Sequence, residues 1–226
     1  MSSYEYVRPA DIEKESMRII EAELAERRIE IPEENKVVVK RVIHTSADFD
    51  YGTNLKFTEG AVLRAVETLK KGGCTFITDT NMALAGISKP SLAKLSASAV
   101  CYMADEEIMK RAKEEGTTRA YASMRRGAGE FPNGIFVSGN APTALIALSE
   151  MIRDGLRPAL VIGVPVGFVN VVESKEELLE VCQEHDVPAI VALGRKGGSN
   201  VAASICNALL YSAVDAVDPM RRGWQK

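Results

Sequence analysis

Gly134-Ile-Phe-Val-Ser138, followed at once by Gly139-Asn-Ala-Pro-Thr-Ala-Leu145, is the stretch that indicates the fold. A short run without polar alternation is typical of a strand that is buried on both faces of a parallel sheet. The glycine, asparagine and proline that follow are typical of a turn opening a helix. The stretch therefore predicts one strand–loop–helix unit of an α/β protein.

The same pattern recurs along the chain from residue 74 onward. The five predicted strands are Cys74–Thr78, Ser98–Met103, Gly134–Ser138, Ala159–Gly163 and Ala189–Leu193. Helical periodicity predicts helices at about 105–114, 119–126, 141–154, 174–184 and 199–213. This alternation predicts a three-layer, flavodoxin-like, doubly wound parallel sheet of five strands in the order 2-1-3-4-5.

The first 73 residues have a different, helical pattern. Three helices are predicted, at 11–28, from Ile31-Pro32 to about Thr45, and from Thr58 to a stop at Gly72-Gly73. The run Val37-Val38-Val39 favours a strand instead. We expect a single domain over 1–226, with a helical part at 1–73, a parallel core at 74–214 and a loosely held tail at 215–226.

Composition excludes several classes of protein. Among 226 residues, 46% are apolar and 26% charged, and the net charge of −3 gives no basic field for nucleic acid or an anionic membrane. The polar N-terminus and the lack of a long apolar run predict neither a leader nor a membrane span. The four cysteines, at 74, 101, 182 and 206, fit no zinc spacing, so we expect reduced thiols in a cytoplasmic protein.

A ligand site is predicted at the carboxyl edge of the sheet, where the strand order reverses. The segments Thr78–Met82 and Ser138–Thr143 leave the first and third predicted strands, and both are rich in small polar residues. Glycine-bearing loops at Gly163–Asn170 and Gly194–Asn200 follow the last two predicted strands.

Two of these loops open helices whose free amides could bind an anion. Gly139-Asn140 and Gly197-Gly198 lie at these positions, and Arg195-Lys196 favours a carboxylate or phosphate at the second. The alternative is that the glycines only form turns and caps. Asp79, at the end of the first predicted strand, has no second acid beside it, which disfavours a metal or phosphoryl site.

His44 is one of two histidines. On a helical wheel it shares a side with Arg41, opposite Val38, Val39, Val42 and Ile43, so it is not a core residue of its own helix. It is either a solvated surface residue or a site residue facing another element. A histidine paired with arginine suits proton donation near an anionic ligand. His185 is predicted to be a helix-end dipole partner, and Arg119 to lie on a solvated helix face.

Several segments together resemble the precorrin-8X methylmutase family, which includes the cobalt-precorrin-8 methylmutases. They are Arg41-Val-Ile-His44, Gly139-Asn-Ala-Pro-Thr-Ala-Leu145, Gly163-Val-Pro-Val-Gly-Phe-Val169 with Glu173-Ser-Lys175, and Gly194-Arg-Lys-Gly-Gly-Ser199. The likeness runs from Tyr6-Val-Arg8 to the helix after Asn200.

The resemblance implies an isomerase of cobalamin synthesis. It would move a methyl group from C-11 to C-12 of precorrin-8X or cobalt-precorrin-8, a tetrapyrrole, to give hydrogenobyrinic or cobyrinic acid. It also implies a homodimer with the site near the interface, and neither a cofactor nor a metal.

The resemblance also assigns residues. His44 is the expected proton donor, and the expected substrate contacts by resemblance are Ser16, Arg41, Arg119, Gly139 and Asn140. From their place at the sheet edge, Asn81 and Met82 join them, and Ile87 and Phe168 could contact the ring beside Met82. The polar, acidic stretch Thr45–Asp50 departs from the family pattern, and its role stays open.

Two other functions compete. A non-catalytic tetrapyrrole carrier on the same fold would tolerate loss of His44, whereas the isomerase would not. An unrelated flavodoxin-like module binding FMN or a phosphorylated ligand is disfavoured, because Thr78-Asp-Thr-Asn-Met82 is not a Ser/Thr-rich phosphate loop.

Overall fold

The computed structural model describes residues 9–222 and has a six-stranded sheet at its centre. The strands are β1 (Leu55–Phe57), β2 (Thr75–Thr78), β3 (Ser98–Val100), β4 (Ile135–Ser138), β5 (Leu160–Gly163) and β6 (Ala189–Ala192). Their order is β3-β2-β4-β5-β6-β1, and β2 to β6 are parallel. This arrangement confirms the five predicted strands and their predicted order, although β3 ends three residues earlier than expected.

The sixth strand, β1, corrects two expectations: that the sheet has five strands, and that the first 73 residues are helical. Leu55–Phe57 pairs antiparallel with β6, and Leu55 lies opposite Ala192. Three residues are too few to show the period of a strand in the sequence. The pairing also depends on a partner far along the chain.

Helices cover both faces of the sheet. They are α1 (Pro9–Glu26), α2 (Lys36–Ser46), α3 (Tyr51–Asn54), α4 (Ala61–Lys71), α5 (Asn81–Gly86), α6 (Lys89–Lys94), α7 (Glu106–Glu114), α8 (Arg119–Glu130), α9 (Pro142–Arg153), α10 (Val171–Glu184) and α11 (Ser199–Ala213), with 3₁₀ turns at Glu33–Asn35 and Pro219–Arg222. The longer helices confirm the prediction, although α10 begins three residues early, α2 begins only at Lys36 after the first 3₁₀ turn, and α4 begins at Ala61 rather than Thr58. The short α3, α5 and α6 were not predicted, since one or two turns show little periodicity. Val37–Val39 is helical.

Alternation along the strands creates the three layers. In β4, Ile135 and Val137 pack into the core beneath α2, α4 and α11, while Phe136 between them packs into the core beneath α8, α9 and α10. The central strands β2, β4, β5 and β6 are buried along their whole length and are mostly apolar, as predicted, whereas the edge strands β1 and β3 are partly exposed. Within residues 9–222, no helix is long and apolar enough to cross a membrane.

The described part of the tail is held in place. Arg222 has a side chain only 6% exposed, and its guanidinium donates to the Glu13 carboxylate of α1. The expectation of a loosely held tail is therefore wrong as far as residue 222, because the pairing partner lies at the other end of the chain. Residues 223–226 lie outside the described range, as do the first eight, which include Tyr6–Arg8.

Thr58 fixes the start of β6 beside β1, and this contact gives a first test. Its hydroxyl accepts from the buried Ala189 amide at 2.8 Å and donates to the Val187 carbonyl at 3.2 Å. Thr58→Val leaves that amide unpaired, so we expect a loss of about 1 to 3 kcal/mol in the free energy of unfolding, measured with urea.

Thr68→Val is the matched control. The Thr68 hydroxyl donates only to the Arg64 carbonyl one turn earlier in α4, so we expect a change within about 0.5 kcal/mol. Equal stability of the two variants would contradict the role assigned to Thr58.

Candidate active site

The carboxyl edge of the sheet is organised by Asp79, which directly follows β2 and is fully buried. Its carboxylate accepts four hydrogen bonds from the segment that follows β4. The donors are the amides of Gly139 (2.9 Å), Asn140 (2.8 Å) and Ala141 (2.7 Å) and the hydroxyl of Ser138 (3.0 Å). Burial raises the pKa of Asp79, and these four donors act in the opposite direction.

This arrangement corrects the anion-site hypothesis for the Gly139-Asn140 loop. Its amides already donate to Asp79, so they are not free for a ligand. Asp79 itself is a structural carboxylate rather than a metal or phosphoryl site. The Asn140 side chain is exposed and stays a predicted substrate contact, whereas Gly139 is buried.

Gly139 brings its loop against the start of α11. A Cβ at this position would lie 2.8 Å from Cα of Ser199 and 3.1 Å from the Gly198 carbonyl oxygen, so no larger residue fits without movement. The Thr80 hydroxyl, which caps α5, lies 2.8 Å from the Ser199 hydroxyl. The loops after β2, β4 and β6 thus meet at one edge.

Lys175 supports the loop after β6 from within. It is fully buried in α10, and its ammonium donates to the carbonyls of Gly194 (2.9 Å) and Lys196 (2.8 Å). Burial lowers its pKa to about 8. Sequence reasoning missed this role, since the spacing of Lys175 does not show that its side chain turns inward.

The acidic stretch after His44 binds the same loop. The Lys196 ammonium lies 2.6 Å from a carboxylate oxygen of Asp48 and 2.6 Å from one of Asp50. The hydrogen bond from Lys196 is the main cause of a lowered pKa at Asp48. These contacts attach the end of α2, which carries His44, to the carboxyl edge of the sheet.

His44 is partly buried among charges from two other elements. Arg41 precedes it by one turn of α2, and the Arg41 guanidinium lies 2.5 Å from Glu13 of α1. Burial and then Arg41 lower the pKa of His44, with Arg222 acting in the same direction and Glu13 against it. His44 is therefore neither a core residue nor a freely solvated one.

The structure brings the other predicted residues into two groups. Asn81 and Met82 open α5 at the edge, and both are exposed. Arg119 opens α8 at the same edge of the sheet, next to the start of α9: the Thr118 hydroxyl lies 2.6 Å from the hydroxyl of Thr143. These residues and Asn140 share the carboxyl edge.

The second group lies on α1 and α2. Ser16 follows Glu13 by one turn, and its hydroxyl donates to the Ile12 carbonyl at 2.9 Å. Arg41 and His44 complete this group. Lys196, on the loop after β6, links the two groups by pairing with the acids that follow α2.

Exposure separates the three predicted ring contacts. Met82 and Phe168 are 77% and 80% exposed, and the Arg195 guanidinium lies 5.4 Å from the Phe168 ring centroid. Ile87 is 2% exposed and packs in the core, so it is not available to a ligand. In the described part of the chain, no group of three His, Cys, Asp or Glu side chains could hold a metal ion.

The fold is that of a doubly wound α/β protein, a class whose ligand sites lie beyond the carboxyl ends of the strands. Comparison with known proteins identifies the family: the precorrin-8X methylmutase family model matches residues 11–212, and the chain belongs to this family. It is a methylmutase, an isomerase of cobalamin synthesis.

Two relatives and one solved structure illustrate the similarity. The chain is 45% identical over 183 residues to a cobalt-precorrin-8 methylmutase of Salmonella typhimurium, covering 80% of this chain and 83% of the relative. It is 40% identical over 212 residues to one of Priestia megaterium, covering 93% and 91%. A precorrin-8X methylmutase structure from Thermus thermophilus superposes with a TM-score of 0.80 at 37% identity, covering 91% and 98%.

Asp79 provides the test of this edge. In Asp79→Asn, the side-chain amino group faces at least one backbone amide, and the negative charge is lost. We expect a loss of about 2 to 3 kcal/mol in the free energy of unfolding, measured with urea.

The matched control is Asp154→Asn at the exposed end of α9. We expect that change to stay within about 0.5 kcal/mol. If Asp79→Asn unfolds at the same urea concentration as the control, Asp79 does not organise the edge.

Proposed function

We propose that this chain moves the methyl group at C-11 of cobalt-precorrin-8 to C-12, giving cobyrinic acid, with His44 as the proton donor. The choice of the cobalt form is supported by the names of the Salmonella and Priestia relatives, at 45% and 40% identity. The Thermus structure, at 37%, carries the metal-free name. The observation that carries the role of His44 is its partly buried place beside Arg41, on the helix attached to the carboxyl edge.

The proposed reaction requires neither a redox step nor a nucleophile from the protein. The bond from C-11 to the methyl carbon breaks as the bond from C-12 forms, and the ring double bonds rearrange. Substrate and product contain the same atoms, so no oxidant, reductant or leaving group is involved. A proton lent to the macrocycle returns to His44 when the shift is complete. The protein must hold one conformation and place one proton source.

The low pKa of His44 suits this role. Burial and Arg41 disfavour the charged imidazole, so a protonated His44 is a stronger acid than histidine in water. Substrate carboxylates bound near Arg41 would restore protonation, because an opposite charge stabilises imidazolium. Binding of the substrate thereby favours the protonated form of His44.

The remaining site residues bind the tetrapyrrole. Arg41 and Arg119 pair with its peripheral carboxylates, and the hydroxyl of Ser16 and the amides of Asn81 and Asn140 supply further hydrogen bonds. Met82 and Phe168 contact the flat ring. Gly139 contributes by letting its loop approach α11.

We place the chain in a homodimer with the site near the interface, in the cytoplasm. Apolar side chains are exposed in the loop between β5 and α10: Val166 is 48%, Phe168 80% and Val169 77% exposed. Clustered exposed apolar residues are typical of a binding or subunit surface. Burial raises the pKa of the Cys74 thiol to about 11 and of Cys182 to about 12, which suits unreactive thiols in a reducing compartment.

The dimer is tested by the mass in solution. We expect sedimentation equilibrium to give a mass of about twice 24.5 kDa at micromolar concentration. A mass of 24.5 kDa under these conditions would contradict the dimer and leave the isomerase proposal standing.

The function is tested by anaerobic incubation with cobalt-precorrin-8 and, separately, with precorrin-8X, followed by visible spectra. We expect the wild-type chain to prefer the cobalt form. His44→Ala should lower kcat by about 10²- to 10⁴-fold, because it removes the proton donor, while binding of the product stays within about tenfold.

His185→Ala is the matched control, since it removes the only other histidine, whose ring lies 3.3 Å from the Arg157 guanidinium. Its kcat should equal that of the wild type. Full activity of His44→Ala would exclude the proposed role of His44. Binding without conversion by the wild type would instead favour a tetrapyrrole carrier.

A further inference from the structure

The C-terminal segment places a buried arginine against α1. Arg222 donates from one guanidinium nitrogen to both carboxylate oxygens of Glu13, at 2.8 and 2.7 Å. Its other nitrogens donate to the carbonyls of Ala216 (2.8 Å) and Val217 (2.6 Å), and its guanidinium carbon lies 3.9 Å from the Tyr211 ring centroid. Each of the three guanidinium nitrogens therefore donates a hydrogen bond, and the group also lies against an aromatic ring.

Glu13 joins Arg222 to the helix that carries His44. The Arg41 guanidinium bonds to the same carboxylate at 2.5 Å and lies 5.4 Å from the same Tyr211 ring. Two arginines therefore share one carboxylate and one ring. The side chains of Glu13 and Arg41 are 18% and 12% exposed, so solvent screens these charges only in part.

Three charged side chains act on His44 at this place. Glu13 comes from α1, Arg41 from α2 itself and Arg222 from the C-terminal segment. The element packed on the other side, α11, contributes the uncharged Tyr211. The acids that follow α2, Asp48 and Asp50, are paired with Lys196. The cluster of Glu13, Arg41 and Arg222 thus has one positive charge in excess.

We propose that Arg222 is a positioning residue: through Glu13 it holds Arg41 in place and keeps this excess positive charge beside the imidazole of His44. Its consequence for catalysis rests on the proposed function of His44. Arg222 lies beyond residue 212, where the family match ends, so this device belongs to a part of the chain outside the matched segment.

The direction of the effect follows from charge. Without Arg222, the charges of Glu13 and Arg41 cancel, and the carboxylate attracts a proton on His44 more effectively. The pKa of His44 should therefore rise, by about half a pH unit for one charge removed near a partly exposed group. Glu13→Gln removes the negative charge instead, so it should lower the pKa of His44.

The test is a titration of the histidine Hε1 protons by NMR, in which each of the two histidines gives one signal. We expect Arg222→Met to raise the pKa of His44 by about half a unit and Arg222→Lys to restore most of the wild-type value. Arg221→Met is the matched control. Arg221 is exposed and pairs with Asp215, away from Glu13, so the pKa should stay within about 0.1 unit.

The pKa of His44 should rise in Arg222→Met and fall in Glu13→Gln. These opposite changes distinguish a charge effect from loosening of the fold. Loosening exposes His44 to water in both variants and raises its pKa in both. A pKa in folded Arg222→Met within about 0.1 unit of the wild type would overturn the inference. So would an equal rise in both variants.

The pH profile of kcat/KM distinguishes the role of Arg222 from the role of His44 as proton donor. A proton donor works in its protonated form, so kcat/KM of the wild type should fall as pH rises through the His44 pKa. In Arg222→Met this fall should move to higher pH by the same amount as the NMR value, and Arg222→Lys should move it back. A shifted NMR pKa with an unshifted kinetic profile would keep the role of Arg222 and overturn His44 as proton donor.

Discussion

A single buried carboxylate fixes the edge of the sheet on which the site depends. Asp79 accepts hydrogen bonds from one hydroxyl at the end of β4 and from three consecutive amides in the turn between β4 and α9. The carboxylate thereby sets where α9 begins and how its loop meets α11. Burying a charge is costly, and four donors are what makes this one tolerable.

Charged side chains, rather than strands of the sheet, connect this edge to the helix that carries His44. The buried ammonium of Lys175 holds the loop after β6, and Lys196 on that loop pairs with the acids that follow α2. The other side of α2 is held by Glu13 and Arg222. The helix carrying the proposed proton donor is thus fixed on two sides, which is the positioning that an intramolecular rearrangement needs.

The sequence predicted the parts of the fold that local pattern determines. Four of the five parallel strands are buried along their whole length, so each is a recognisable apolar run. The helical wheel of α2 correctly placed His44 away from the core. The sequence could not predict β1, whose three residues are a strand only because β6 lies beside them. Local pattern also favoured three helices before residue 74 and did not show α3, α5 or α6.

The charged contacts could not be predicted from the sequence, because the position of a titratable residue in the chain does not show which residue it pairs with. In the sequence, Asp79 was an isolated acid, Lys175 was part of a segment that carries the family resemblance, and Arg222 was part of a tail expected to be loosely held. Their roles depend on contacts across 60, 19 and 209 positions of the chain. The motifs that carry the family resemblance marked the right loops without showing that the Gly139–Ala141 amides serve Asp79.

The most direct measurement is a crystal structure of the chain with cobyrinic acid bound. We expect the macrocycle at the carboxyl edge, in contact with Met82 and Arg119, with an imidazole nitrogen of His44 within hydrogen-bonding distance of the ligand. The macrocycle in the cavity of about 470 Å³ between α1, α2 and the C-terminal segment, with His44 out of its reach, would contradict it.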